Sequence, residues 1–216
     1  MLAHHLVDQM NVFCALHRVS HFIMAHLVSH MIPDNSEIKF QEKNMSLLNR
    51  LLFRLSAYCR CRVINGPDQQ PYLERYHLLR LPFGYRAYLH RFVASDPGRG
   101  LHNHPWKHAF SLLLCGSYEE TRMLDASAGN ALHSRCLRPG RINFISGEVF
   151  HRVNLPANRE CWSLFIHAPK ASNWGFIQQQ KYIDHNQIVN QESNPLWWQQ
   201  ARRPVQAPEM RQPFMV

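Results

Sequence analysis

With 216 residues, 45% of them hydrophobic, the chain has material for one domain of ordinary size with a real core, and it is too long to need disulfide staples. Lys and Arg number 24 against 15 Asp and Glu, a formal net charge of +9 that favours anionic ligands, yet no recognised nucleic-acid-binding motif accompanies it. The six cysteines, at 14, 59, 61, 115, 136 and 161, form no regular framework and read as reduced thiols of a cytoplasmic protein. No run reaches the roughly 18 to 20 apolar residues of a membrane span.

Residues 1–32 mix apolar side chains with six histidines. His17/His21 and His26/His30 are i, i+4 pairs that would share a helix face, a spacing that suits a metal. The stretch lacks a basic start and is broken by polar residues, so it makes a poor secretory signal. Two readings of residues 1–44 stay open: a loosely amphipathic helical extension packed on the domain, or sequence upstream of a start at Met45. Pro33-Asp34-Asn35-Ser36 is the breaker cluster that marks a boundary. From Met45 the pattern changes. Leu47, Leu48, Leu51, Leu52 and Leu55 recur at helical spacing and predict an amphipathic helix over 46–58.

Strands are predicted over Cys61–Ile64, Pro71–Leu81 and Tyr85–Val93, with turns at Asn65-Gly66 and Pro82-Phe83-Gly84. The Gly/Pro loop from Ser95 to Gly100 follows. Arg99 in that loop, and Arg91 in the strand before it, either meet an anionic substrate group or are plain surface arginines. His102 and His104 next project to one side of an extended strand, roughly 7 Å apart. Pro105 ends that strand, and Ala109–Cys115 forms the next, closed by Gly116.

Gly116–Leu124 carries Tyr118, Glu119 and Glu120. Strand alternation lets only one of the two glutamates face inward, as an acid, a base or a partner of a ligating histidine. After a loop at 125–130, strands follow at His133–Leu137 and Arg141–Ile145, joined by Arg138-Pro139-Gly140. Ser146-Gly147-Glu148 turns into Val149–Leu155, near whose start lies His151. Glu160–His167 is the last predicted strand. Beyond Pro169 the strand pattern ends, with Trp174-Gly175-Phe176 laid over one edge and an irregular tail at 181–216. Trp197 and Trp198 in that tail are expected to dock on the domain or on a second subunit.

The HxH at 102–104, the glycine at 116, and the Gly140 to His151 spacing together resemble the two motifs of the cupins. His102, His104 and Gly116 match the first motif; Gly140 and His151 match the second. Two positions depart from the pattern. Ala109, with His108 beside it, stands where cupins usually carry a glutamate ligand, and Ser146 and Glu148 replace a Pro and a Gly. The fuller string HNHPW, with LHRF before it and CWSLFIH after it, is similar to a group of bacterial cupin-domain proteins over about residues 47–180.

The resemblance implies a mainly β fold, a cupin-type double-stranded β-helix or jelly-roll barrel over 45–180 with a leading helix. It implies a divalent transition metal on His102, His104 and His151, with iron the first choice and zinc, nickel or manganese the others. His90, His108 and His167 are candidates for a fourth ligand, structural burial being the competing reading. Glu120, Tyr118 and Arg99 are the candidate catalytic residues. The function implied is a metal-dependent enzyme acting on a small anionic substrate, as in the three-histidine iron dioxygenases. Against it stand a non-catalytic ligand-binding or sensing cupin and a non-redox isomerase or lyase. A homodimer is expected, since the family commonly dimerises, with neither nucleic acid nor membrane as partner.

Overall fold

A computed structural model describes residues 47–98, 100–123, 131–188 and 196–214. All of them fall within one compact unit, Lys43–Val216. Arg99, the histidine pairs of residues 1–32 and the 125–130 loop lie outside the described residues.

Helix α1 covers 47–56. Twelve strands follow: β1 (Arg60–Asn65), β2 (Pro71–Arg80), β3 (Arg86–Phe92), β4 (Leu101–His102), β5 (His108–Cys115) and β6 (Tyr118–Met123), then β7 (Leu132–Leu137), β8 (Ile142–Ser146), β9 (His151–Asn154), β10 (Cys161–His167), β11 (Gly175–Gln178) and β12 (Lys181–Asp184). One sheet has the order β1-β2-β3-β10-β5-β8 and the other β12-β11-β4-β9-β6-β7. Every pairing is antiparallel. From β3 to β10 the chain passes back and forth between the sheets, giving facing four-strand sets β3-β10-β5-β8 and β4-β9-β6-β7. That is the strand order of a jelly roll.

The two-residue repeat of the extended strand produces this packing. In β5 every second residue is buried, and Leu113 meets Leu73, Phe92, Tyr118, Leu137 and Val153 between the sheets. Each large apolar side chain buried in this way contributes roughly 1.5–3 kcal/mol. The turn from β5 to β6 requires a glycine: Gly116 has φ of +76°, and a Cβ there would lie 2.1 Å from the Glu160 carbonyl oxygen.

The outer face of the first sheet is covered as well. Tyr76, Leu89, Cys115 and Trp162 pack under Leu52 and Phe53 of α1 and Met210 of the tail. Leu47, Leu51 and Leu55 of the predicted apolar stripe stay exposed, so the helix docks by one edge of that stripe. The tail is pinned by Cys61 N–H donating to the Arg202 carbonyl at 3.0 Å and Val205 N–H to the Ala57 carbonyl at 2.9 Å. Its tryptophans sit on this same unit: Trp198 stacks on His77 at 4.7 Å, and Trp197 on Tyr88 at 6.2 Å.

Three expectations are corrected. The strand pattern does not end at Pro169: β11 and β12 extend the second sheet beside β4. The HxH segment is not one strand, because β4 stops at His102 and leaves His104 in the following loop. Arg91 is neither a surface residue nor near a barrel mouth. It points to the covered outer face, fully buried, where it pairs with Glu74 at 3.1 Å and with Glu160.

Candidate metal centre

His102 ends β4 and pairs in register with His151, which opens β9; on its other side it faces Phe176 of β11. The missed strand β11 thus braces the first histidine. The loop then curls His104 back toward the pair. Asn103 Oδ1 accepts the Gly175 N–H at 2.8 Å, and His104 N–H donates to the Gly147 carbonyl at 3.1 Å. Gly147 permits this close approach, since a Cβ would lie 2.0 Å from the Trp106 carbonyl oxygen. The turn ahead of His151 and the loop behind His102 are thereby locked together.

One ring nitrogen from each of His102, His104 and His151 lies within 4.8 Å of the others, and the Nε2 atoms of His104 and His151 are 2.7 Å apart. Glu120, fully buried on β6, meets His151 Nδ1 at 2.7 Å. A carboxylate accepts, so His151 carries its proton on Nδ1 and turns the Nε2 lone pair toward the cluster. Arg122 and Asn143 bond Glu120 at 3.1 Å each, and Arg135 bonds it at 2.8 Å. Burial pushes the Glu120 carboxyl upward, but the hydrogen bonds it accepts from His151, Arg122 and Asn143 outweigh it and hold the group well below the usual carboxylate range. Burial, and then the neighbouring His102 and His151, push His104 well below its ordinary value, so its imidazole is neutral.

Three convergent imidazoles, one of them keyed by a buried carboxylate, fit a divalent transition metal, for which nitrogen bonds of about 2.0–2.1 Å are typical of zinc. Among the described residues this cluster comprises His102, His104 and His151. The other candidates are occupied elsewhere. His90 Nε2 accepts from Arg75 Nε at 3.0 Å, and its ring stacks on Phe165 at 4.4 Å. His108 Nε2 meets the Tyr85 hydroxyl at 2.7 Å. His167 donates from Nδ1 to the Ala168 carbonyl at 2.6 Å, and burial brings its pKa down to about 4.

Of the candidate catalytic residues, Tyr118 is buried in the core and its hydroxyl accepts from Asn143 Nδ2 at 3.2 Å, so that Asn143 and Glu120 both stand between it and His151. Glu119 is exposed, and Glu120 is the glutamate that faces inward. Glu120's oxygens are committed to His151, Arg122, Arg135 and Asn143, which places it as an orienting group. Sequence reasoning missed Asp96, Arg122, Arg135 and Asn143. Asp96 lies 3.8 Å from His102 Nδ1 and also accepts the Val153 N–H at 2.7 Å. The available signal was polarity at inward positions: Glu120 and Arg122 share one face of β6, and Asn143 sits on the buried face of β8.

No family model and no curated protein matches the chain. Among solved structures it is similar to a recombinant oxalate oxidase in complex with glycolate, with 18% identity and a TM-score of 0.37, over 44% of this chain and 46% of that one. It is also similar to the DMSP lyase DddQ from Ruegeria pomeroyi, with 18% identity and a TM-score of 0.41, over 56% and 61%. A third is the hydroxypropylphosphonic acid epoxidase from S. wedmorenis, with 15% identity and a TM-score of 0.37, over 49% and 59%. In each case the match spans less than two thirds of the other chain. No residue role passes from these proteins to this chain.

Proposed function

We propose that this chain is a metal-dependent enzyme of the cupin type, with His102, His104 and His151 holding an iron ion and a small anionic molecule as its substrate. The observation that carries the reading is the alignment Glu120–His151–His104, in which a buried carboxylate fixes one tautomer and leaves a lone pair facing two further imidazoles. Trp106 stacks on the His104 ring at 4.5 Å and holds it in plane. Glu120 acts as a positioning residue, because its charge is neutralised by Arg122 and Arg135 before it reaches the cluster. An all-histidine donor set leaves the ion's positive charge undiminished, which draws an anion and agrees with the net charge of +9. A redox-active ion bound there supplies O₂ chemistry, whereas a redox-inert one supplies Lewis acidity.

The test is elemental analysis of untagged protein beside a His102→Ala/His151→Ala variant, followed by O₂ uptake with small thiols and carboxylates. The expected result is about one iron per wild-type chain and none in the variant. Zinc, nickel or manganese at that level replaces the oxygenase with an isomerase or lyase. No metal uptake on reconstitution overturns the enzyme and leaves a ligand-binding module.

A further inference from the structure

The inward face of the first sheet holds a polar row that the histidine cluster does not use. Arg75, in the middle of β2, is in register with Arg62 on β1 and with His90 on β3; His90 is in register with Ser163 on β10. Strand alternation puts Arg75, His90 and Ser163 on the same face as the core residues Leu73, Phe92 and Phe165. Arg75 donates to His90 at 3.0 Å, and its guanidinium lies 5.4 Å from the centre of the Tyr88 ring. Neither contact cancels its charge. Among the described residues no carboxylate pairs with Arg75, whereas Arg91, Arg122 and Arg135 each meet at least one. Arg62, directly opposite, carries the same sign, and like charges facing each other across strands cost stability.

Two groups near this row are buried without a hydrogen-bond partner. Ser163 Oγ is fully buried and makes no hydrogen bond, and Trp106 Nε1 is buried and makes none. Leaving such groups dry and unpaired costs about 1–3 kcal/mol each, which a bound molecule would recover. Trp106 also joins the row to the candidate metal centre. It lies between His104 at 4.5 Å and His167 at 4.6 Å and meets Phe165 edge-on at 5.7 Å, while Phe165 stacks on His90 at 4.4 Å.

We propose that Arg75 and Ser163, with the Trp106 indole N–H on the side of the histidine cluster, bind the carboxylate of a small carboxylic acid. The inference rests on reading that cluster as a metal-dependent active site. One guanidinium and two neutral donors match a planar monoanion: the guanidinium supplies the charge and a two-pronged contact, and the hydroxyl and indole fill remaining lone pairs. The acid's second polar group then faces His102, His104 and His151, and Arg75 selects for carboxylates without touching the metal.

The test uses the full chain stripped of metal, so that binding is read apart from turnover. Propionate, propionamide and inorganic phosphate are titrated in low-chloride buffer by calorimetry and tryptophan fluorescence, and zinc is titrated separately. Propionate is expected to bind at least about 10-fold more tightly than propionamide or phosphate. Arg75→Gln should remove that preference, and Ser163→Ala should weaken propionate by about 3-fold or more, with circular dichroism checking the fold. Both variants should keep wild-type zinc affinity, and His102→Ala should lose zinc while keeping propionate. Equal binding of propionate and its amide, tighter binding of phosphate, or an unchanged Ser163→Ala variant overturns the anchor. Loss of zinc uptake by the wild type with propionate binding intact overturns the metal reading alone.

Discussion

Two buried ionic networks use the same side-chain chemistry to opposite ends. On the outer face of the first sheet Arg91 stands between two carboxylates, Glu74 and Glu160, and the network closes on itself. Trp162 Nε1 donates to Glu160 at 3.1 Å, Tyr76 donates to Glu74, and Arg91 donates to the Gln212 carbonyl at 2.8 Å. In the second sheet the arrangement is inverted: one carboxylate, Glu120, stands between two guanidiniums, Arg122 and Arg135. This network does not close, because one Glu120 oxygen reaches out to His151 and through it to the histidine cluster. A closed network fastens the tail to the barrel. An open one transmits orientation to a ring whose far nitrogen faces the other two histidines.

The largest loss is expected in the closed network. Arg91→Met removes the single cation between two buried carboxylates and is expected to cost about 3–5 kcal/mol in urea unfolding. Metal titration of the remaining folded protein should be unchanged. At the open end Glu120→Gln loses the acceptor that keys His151, and metal affinity is expected to fall about 10–100-fold. Glu160→Gln is the matched control. It should lower unfolding free energy and leave metal affinity alone, and an equal loss of metal in both variants would erase the distinction between the networks.

The smallest expected effect is a pH dependence. His167 has its pKa brought down from 6.5 to about 4 in the folded chain, so the neutral ring stabilises the fold fully above pH 6.5. That contribution is lost as pH falls from 6.5 toward 4, because the unfolded chain takes up the proton first. For a partly exposed ring the loss is roughly 1 kcal/mol. His167→Asn keeps a donor for the Ala168 carbonyl and should flatten this part of the curve of unfolding free energy against pH.

Local pattern decided most of the fold and little of the site's surroundings. The short apolar runs of β5 and β10, the glycine at 116 and the turn at Arg138-Pro139-Gly140 announce a β protein, because strand-forming residues bounded by turn residues are legible in the order of the chain. The HxH and the later histidine announce imidazole chemistry for the same reason: ligand identity belongs to residue type. What joins His102 to His151 is a register between β4 and β9 that crosses 49 positions of sequence, and no local signal encodes it. The short strand β11 escaped notice because four residues next to an aromatic-rich turn show too little alternation to read.

Arg91 and Arg75 make the division plain. Both are arginines in apolar strand contexts and are indistinguishable by sequence. One faces outward to two glutamates, and the other faces inward with no carboxylate among the described residues. Residue type determined the chemistry available to this protein. Tertiary structure decided which charges were matched and which were left open, because pairing depends on the face a side chain takes and on segments far away in the chain.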